Sequence, residues 1–251
     1  MNTPSNSEYS TEMEATRPID VCMSPDLLHL YALQGTTVVV VDVLRATSCM
    51  VTALAHGADH IIPYADLEQC RQRKADGYLT SGERNGQHVE GFDKGNSPFE
   101  YMGEEMKGCR IAFTTTNGTQ ALHRSSGASE IVVGSFLNLK SVVDYLRTGT
   151  NPVLIVCAGW KGKVNLEDTL FAGAVTELAA EFLKPACDAP LMAQHLYRLS
   201  RNNPVDFLKA SSHVQRLARL QITKDIAFCV TESIYDVLPI MKDGQLVNLK
   251  K

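Results

Sequence analysis

A carboxylate, an arginine and two hydroxyls stand where an apolar run ends and a helical pattern begins. Asp42, Arg45, Thr47 and Ser48 follow four consecutive valines, and the two hydroxyls are candidate substrate-binding groups. At the carboxyl end of a buried strand, a carboxylate can hold a metal ion or attack phosphorus. A guanidinium offers a planar fork of donors that suits phosphate or carboxylate oxygens. The structural alternative is that Asp42 caps the helix and pairs with Arg45.

The densest polar stretch of the chain runs from residue 81 to residue 98 and contains four glycines. Its candidate site residues are Glu83, Arg84, Asn85, Asp93 and Asn96. Between a predicted strand and a predicted helix, this composition indicates an ordered loop whose polar side chains have a function. The alternative is a mobile surface loop with Asn-Gly turns. In either case Ser97 and Pro98 are expected to begin a helix.

A third segment places hydroxyls and an Asn-Gly pair between a strand and a helix. Its members are Thr114, Thr115, Thr116, Asn117, Gly118 and Thr119. Free N–H groups and the positive end of the dipole let a helix N-terminus bind anions, so this segment predicts a phosphate site. The alternative is that Thr116 or Asn117 serves only as a helix cap.

Two adjacent acids, Glu167 and Asp168, begin a predicted helix after a glycine-bearing loop. Mg²⁺ prefers oxygen ligands and usually keeps several waters, so this pair suits a hard cation. Acids at a helix N-terminus also stabilise the helix without any ligand, and both interpretations stay open. Within that preceding loop, Trp160 either shields a site or packs. Lys161 or Lys163 is a candidate to contact a phosphate, and the alternative is that both are exposed and contact only water.

Several familiar motifs are absent from the sequence. It contains no phosphate-binding loop of the GxxxxGK[ST] type, no strand-linked GxGxxG, no HExxH and no GxSxG elbow. Nucleotide-dependent transfer and serine hydrolysis therefore have no support. We predict solvated or capping roles for the histidines at His56, His60, His88, His123, His195 and His213.

Composition limits the class of protein. The 251 residues carry a formal net charge of -4, and their lysines and arginines are scattered, which argues against a nucleic-acid partner. No apolar run is long enough to predict a membrane span. The seven cysteines are dispersed and form no CxxC pair, which favours a reducing, cytoplasmic location. A small molecule is the expected partner, and a homodimer is compatible with the sequence.

Short β-branched runs alternate with helical patterns, which is typical of β-α units. The predicted strands are 37–43, 59–64, 110–115, 130–134 and 152–157. The predicted helices are 46–56, 66–76, 119–125, 139–147 and 166–182. We predict an α/β fold, layered α/β/α with a largely parallel or mixed sheet, that allows a second, smaller α/β lobe.

The chain divides into three predicted parts. Residues 1–17 are polar and are expected to form a disordered tail. Residues 18–184 form the α/β catalytic core. Residues 185–251 are mostly helical and close with a hairpin around Lys242-Asp243-Gly244, completing the fold or forming a second lobe.

Six motifs in order resemble those of the 2-phosphosulfolactate phosphatase family. They are Asp42-Val-Leu-Arg-Ala-Thr-Ser, Gly82-Glu-Arg-Asn-Gly, Gly91-Phe-Asp with Gly95-Asn-Ser-Pro, Thr114-Thr-Thr-Asn-Gly-Thr, Val133-Gly-Ser-Phe-Leu-Asn, and Cys157-Ala-Gly with Leu166-Glu-Asp. The resemblance covers about residues 38–175 and implies an α/β fold, Mg²⁺, and hydrolysis of phosphate esters of 2-hydroxycarboxylic acids. Its namesake substrate, on the coenzyme M pathway, is 2-phospho-3-sulfolactate.

The resemblance also implies that the candidate residues share one site. The implied metal ligands are drawn from Asp42, Glu83, Asp93, Glu167 and Asp168. Arg45 and the segment 114–119 are expected to hold the phosphoryl oxygens. Arg84, with Lys94 or Lys161, is expected to receive the substrate's carboxylate and sulfonate.

Alternatives remain open at this point. The site could serve a different 2-phospho acid, or the chain could be a non-catalytic anion-binding protein on the same fold. A haloacid-dehalogenase-type phosphatase would need a second acid two residues after Asp42, where the sequence has Leu44, so that analogy is weak.

Overall fold

The structure is a computed structural model and describes residues 16–250. Its strands are β1 (Arg17–Cys22), β2 (Thr37–Val41), β3 (His60–Pro63), β4 (Leu79–Arg84), β5 (Gln87–His88), β6 (Arg110–Thr114), β7 (Glu130–Gly134), β8 (Val153–Cys157), β9 (Leu183–Pro185), β10 (Pro239–Lys242) and β11 (Gln245–Asn248). Its α-helices are α1 (Ala46–Ala55), α2 (Leu67–Gln72), α3 (Gly118–Arg124), α4 (Leu139–Thr148), α5 (Leu166–Leu178), α6 (Asp188–Ser200), α7 (Pro204–Leu208), α8 (Ser212–Arg219) and α9 (Lys224–Cys229). Short 3₁₀ helices occupy Pro25–Leu30, Arg73–Asp76, Pro98–Tyr101, Glu104–Met106 and Phe136–Asn138.

The tail predicted for residues 1–17 lies almost entirely outside the described residues. Its last residue, Arg17, opens strand β1.

The strands form one mixed sheet in the order β5-β4-β6-β3-β11-β10-β7-β2-β8-β1-β9. Strands β3, β6 and β4 are parallel, and so are β7, β2, β8, β1 and β9. The antiparallel pair β10 and β11 joins these two sections by pairing with β7 and β3. The α/β fold with a mixed sheet is therefore confirmed.

The hairpin predicted near the C-terminus is present and lies in the middle of the sheet. Its two-residue turn is formed by Asp243 and Gly244, with φ angles of 50° and 78°. Two consecutive positive φ angles are typical of a tight hairpin turn that matches the twist of its strands. Strands β10 and β11 thus connect the two parallel sections.

Both faces of the sheet are covered by helices, as the valines of β2 illustrate. Val38 and Val40 belong to one apolar core, whereas Val39 and Val41 belong to the other. Alternate residues of a strand point to opposite faces, so a strand buried on both sides is apolar throughout. Helices α1 and α3 cover the first face, and α4, α5 and α6 cover the second.

The sheet curves strongly around α1. Strands β2 and β6 are five positions apart, about 24 Å in a flat sheet. The four-residue connection from β6 to Gly118 spans at most about 14 Å. Yet a Cβ on Gly118 would lie 2.8 Å from the carboxylate of Asp42, just after β2. The curvature brings the ends of both sections together at one place.

The polar segment 81–98 differs from the predicted loop. Its first residues continue strand β4, which turns at Asn85 and Gly86 into β5. Both turn residues have positive φ, 55° and 85°, so the Asn-Gly pair makes a hairpin rather than a loose loop. Ser97 caps the next helix with Pro98 in its first turn, as predicted.

Candidate active site

Asp42 lies one residue beyond β2 and is held by the start of α1. The hydroxyl of Thr47 accepts from the Asp42 N–H at 3.0 Å and donates to the Asp42 carbonyl at 2.9 Å. Ser48 donates to the Val43 carbonyl at 2.8 Å. One carboxylate oxygen of Asp42 accepts weakly from the Ala46 N–H at 3.4 Å. Thr47 and Ser48, predicted to bind substrate, thus use their hydroxyls to fix the turn that presents Asp42.

The Asp42 carboxyl titrates far from its ordinary range. Its pKa is raised to about 6, chiefly by burial; the nearby acids Glu83 and Glu167 also act to raise it, while His213 and the Ala46 N–H act to lower it. Desolvation and like charges both disfavour the ionised form. A cation bound beside Asp42 would relieve both effects.

Arg45 forms a buried ion pair with Asp225 of α9. Its Nη1 lies 2.5 Å from an Asp225 carboxylate oxygen, and the two side chains are 6% and 9% exposed. The peptide bond between Leu44 and Arg45 is cis. Arg45 is therefore oriented by the C-terminal segment, and the structure records no ion pair between it and Asp42.

The β4-β5 hairpin carries Glu83 to the same place. The Glu83 carboxylate accepts from the Gly86 N–H and, at 3.4 Å, from the Thr116 hydroxyl. The Arg84 guanidinium donates to the Glu83 carbonyl at 2.7 Å and to the Thr114 hydroxyl at 2.8 Å. Arg84 thus ties the hairpin to the end of β6.

Most hydroxyl groups of segment 114–119 are buried, whereas the predicted phosphate site needs hydroxyls that a ligand can contact. The Thr119 hydroxyl donates to the Thr115 carbonyl at 3.0 Å, and Thr114, Thr115 and Thr119 are fully buried. Asn117 lines a cavity between the end of β2, the β4-β5 hairpin and α8. Its side-chain oxygen accepts from the Lys161 backbone N–H at 3.2 Å. Most of these hydroxyls therefore brace the turn.

Glu167 and Asp168 are buried at the start of α5 and have protein partners. Asp168 accepts from the Val43 N–H at 2.9 Å and from the Gly159 N–H at 3.0 Å. Burial, with Glu167 and Asp42 nearby, raises the pKa of Asp168 well above its ordinary value. Its carboxyl group joins the loop after β8 to the turn after β2.

Asp93 and Asn96 follow the hairpin but point to different surroundings. One oxygen of Asp93 accepts from the Thr80 N–H and hydroxyl at 2.9 and 2.8 Å, and the other lies 2.6 Å from the Lys74 amine. Asp93 does not line the cavity, whereas Asn96 does. The structure therefore separates Asp93 from the other predicted metal ligands.

The sequence interpretation missed the contribution of α8. His213 was predicted to be solvated or capping, but it is 8% exposed, and its Nδ1 lies 2.5 Å from a Glu167 oxygen. Arg216 follows one helical turn later, and its guanidinium carbon lies 3.8 Å from the centre of the Trp160 ring. The spacing of His213, Arg216 and Leu220 places them on one helix face. That spacing was the one available signal, but it does not reveal which strands the face meets.

These elements line one cavity. Its lining residues are Asp42, Leu44, Arg45, Glu83, Asn85, Gly86, Asn96, Asn117, Trp160, His213, Arg216 and Leu220. Asp42, Arg45, Glu83, Asn85, Asn96 and Asn117 were predicted from the sequence.

The cavity does not gather the five acids predicted as metal ligands. Within residues 16–250, no three His, Cys, Asp or Glu side chains are grouped closely enough to hold a metal ion. Mg²⁺, however, is commonly bound through one or two carboxylates with waters and substrate phosphate. Asp42 and Glu83 both line the cavity and fit such a two-carboxylate site.

The fold and the cavity together define an α/β protein with a polar cavity where its strands end. Comparison with known proteins agrees with this class: the family model described as 2-phosphosulpholactate phosphatase matches residues 22–244. This chain belongs to that family. Among residues 16–250, no helix is long and apolar enough to cross a membrane.

Three curated relatives, each named "Probable 2-phosphosulfolactate phosphatase", illustrate the similarity. The protein of Thermotoga petrophila is 41% identical over 229 residues, which cover 91% of this chain and 97% of the relative. That of Caldanaerobacter subterraneus subsp. tengcongensis is 41% identical over 217 residues, 84% of this chain and 90% of the relative. That of Synechocystis is 38% identical over 209 residues, 80% and 87% of the two chains.

Proposed function

We propose that this chain is a Mg²⁺-dependent phosphatase that hydrolyses 2-phospho-3-sulfolactate to 3-sulfolactate and phosphate. The observation that carries the proposal is the meeting of Asp42, Arg45 and Glu83 at one cavity in a chain of this family. Two relatives that bear the corresponding name are 41% identical to this chain over most of their length.

Charge supports the requirement for a divalent cation. Two carboxylates, Asp42 and Glu83, line the cavity with two arginines, Arg45 and Arg216. Since Arg45 is paired with Asp225, one guanidinium remains to face two acids. The substrate would add a phosphate, a carboxylate and a sulfonate, so its entry needs further positive charge. Asp42 and Glu83 would hold Mg²⁺, which supplies charge neutralisation at the phosphoryl oxygens.

The protein's own groups would divide the remaining work. The guanidinium N–H groups of Arg45 not used by Asp225 would donate to phosphoryl oxygens. The side chain of Asn117 would do the same from the start of α3. Asp42, held beside the phosphorus by the turn that Thr47 fixes, would act as the nucleophile or orient the attacking water. Phosphoryl transfer depends mainly on such positioning and charge stabilisation.

The cellular setting is part of the proposal. All seven cysteines are free, which supports a reducing cytoplasm. The place in coenzyme M biosynthesis, the absence of a nucleic-acid partner and the homodimer stay predictions.

A phosphate-release assay tests the function directly. We expect the wild-type chain to hydrolyse 2-phospho-3-sulfolactate only with Mg²⁺, and Asp42→Asn to lower kcat by at least about 10³-fold. Asp93→Asn is the matched control, because Asp93 binds Thr80 and Lys74 away from the cavity. A hydrolysis rate that depends neither on Mg²⁺ nor on the Asp42 substitution would refute the proposal.

A further inference from the structure

Two polar atoms in the cavity lack a protein partner. Three side-chain N or O atoms within residues 16–250 are buried without a hydrogen bond, and two of them belong to cavity residues, Arg216 and Asn96. The atoms are Nη2 of Arg216 and Oδ1 of Asn96, and Asn96 as a whole is only 9% exposed. A buried polar group without a partner costs about 1–3 kcal/mol. Two such groups in one cavity indicate a ligand that bonds to them.

The Arg216 guanidinium is held in a defined orientation. It lies 3.8 Å from the centre of the Trp160 ring, close enough for a strong cation-π contact. The backbone of Trp160 is itself fixed. Its backbone N–H donates to the Lys163 carbonyl at 2.8 Å, and its carbonyl accepts from the Lys163 N–H at 3.0 Å. A guanidinium held on an aromatic ring keeps its edge N–H groups available for a bidentate anion.

No acid side chain forms an ion pair with Arg216 in the described part of the chain. The acid that acts on it electrostatically is Glu167. The Glu167 oxygens, however, lie 2.5 Å from His213 and 3.5 Å from Ser211. Arg216 is therefore a cation whose charge is open to a ligand.

The cations predicted from the sequence to receive the substrate's carboxylate and sulfonate are occupied or differently placed. Arg84 donates to the Glu83 carbonyl and the Thr114 hydroxyl. The Lys94 amine lies 3.4 Å from a Glu105 oxygen. Lys161 contacts the Trp160 ring at 4.8 Å but does not line the cavity.

We propose that Arg216, stacked on Trp160, binds the anionic group that the substrate carries besides its phosphate, a carboxylate or a sulfonate. The Asn96 carboxamide assists, because rotating it by 180° turns its NH₂ group toward the ligand. The site then selects phosphate esters by their second anion. This inference rests on the proposed function and assigns the specificity of the same cavity.

The test compares four esters of secondary alcohols. They are 2-phospho-3-sulfolactate, 2-phospholactate with the carboxylate alone, the phosphate of 2-hydroxypropane-1-sulfonate with the sulfonate alone, and isopropyl phosphate with neither. For Arg216→Gln we expect kcat/KM to fall about 10- to 150-fold on the first ester. The same fall is expected on the single-anion ester whose group Arg216 binds. On isopropyl phosphate the change should stay below about threefold.

Further variants separate recognition from folding. Arg216→Lys should recover part of the loss, and Trp160→Leu should show the same selectivity between esters with a smaller loss. The control is Arg219→Gln, which changes an exposed arginine on the same helix. This variant should keep the wild-type kcat/KM on all four esters. An equal loss on isopropyl phosphate, or no loss on either single-anion ester, would overturn the inference.

Failure of the proposed function would look different. If the wild-type chain hydrolyses none of the four esters, the function is refuted, and calorimetric binding of 3-sulfolactate then tests Arg216 alone. Binding at least about tenfold weaker in Arg216→Gln than in wild type would support the inference. Equal binding by the two chains would overturn it.

Discussion

Arg45 and Asp225 are 180 positions apart in sequence and form a buried ion pair with their closest atoms 2.5 Å apart. The pair joins the turn after β2 to helix α9. An arginine from the motif nearest the N-terminus is thereby oriented by an acid near the C-terminus. The segment after residue 185 is thus a structural part of the site.

The first prediction follows from this pair. Asp225→Asn keeps the shape of the side chain but leaves the Arg45 charge buried without compensation, which should lower the free energy of unfolding by about 3–5 kcal/mol. It should also reduce kcat/KM at least tenfold, because Arg45 loses its orientation. Chemical denaturation and phosphate release measure the two effects.

A surface pair provides the control. Asp144 lies 2.5 Å from the Lys140 amine, and their side chains are 47% and 73% exposed. Asp144→Asn should change stability by no more than about 0.5 kcal/mol, since exposed pairs contribute little. Similar losses for the two substitutions would contradict the role given to Asp225.

Asp42→Asn should make the protein more stable while removing its activity. Folding raises the pKa of Asp42 from 3.8 to about 6, so the folded state binds the proton more tightly than the unfolded state. Stability therefore falls as pH rises from about 4 to 6, by up to about 3 kcal/mol. The neutral amide avoids this loss, and Tm at pH 8 should rise by several degrees.

Two comparisons check that explanation. At pH below about 4 the gain of Asp42→Asn should vanish, because the carboxyl is then protonated in both states. Asp93→Asn should have the opposite sign. Although burial acts to raise its pKa, hydrogen bonds from Lys74 and Thr80 lower the pKa of Asp93 overall, so its ionised form stabilises the fold. A lower Tm for Asp42→Asn at pH 8 would contradict this account.

The pH dependence of kcat/KM provides a third prediction. Asp42 must be ionised to act, so activity should be present above its pKa and lost as pH falls through about 6. Added Mg²⁺ competes with the proton and should move this acid limb to lower pH. His213→Asn should move it to higher pH, because His213 acts to lower the pKa of Asp42. An acid limb near pH 4 that ignores Mg²⁺ would exclude Asp42 as the titrating group.

Much of the fold could be predicted because its strands and helices carry local signals. The valines of β2, buried on both faces, and the Asp243-Gly244 turn each specify their structure over a few residues. Strand β4 was missed because its sequence, Leu-Thr-Ser-Gly-Glu-Arg, is mostly polar. It becomes a strand by pairing with β6, which is a tertiary effect that local composition does not record.

The site divides in the same way. Asp42, Arg45 and Glu83 stand in recognisable motifs, and the curvature of the sheet brings them to one cavity. His213, Arg216 and Asp225 lie on short amphipathic helices whose position depends on tertiary packing alone. Conversely, Asp93 and Asp168 have the residue type of metal ligands but do not line the cavity, and their oxygens accept hydrogen bonds from protein groups outside it. Residue type at a strand end does not reveal which partner an oxygen will have.

The last prediction concerns Gly118, where the two sections of the sheet meet. A Cβ there would lie 2.7 Å from the Ala46 side chain and 2.8 Å from a carboxylate oxygen of Asp42, closer than real Cβ contacts allow. Gly118→Ala must therefore displace Asp42 or separate α3 from α1. Overpacking of this kind costs about 1–3 kcal/mol, and a shift of about 1 Å at a reacting group can lower the rate about 10²-fold.

The matched control is Gly127→Ala, where the added Cβ would meet Leu33 at an ordinary 3.7 Å. We expect wild-type activity from Gly127→Ala, and a folded but at least about 30-fold slower enzyme from Gly118→Ala. Circular dichroism and phosphate release at saturating substrate distinguish a displaced site from an unfolded chain. Full activity in Gly118→Ala would mean that the contact between the β6-α3 turn and Asp42 does not position the carboxylate for the reaction.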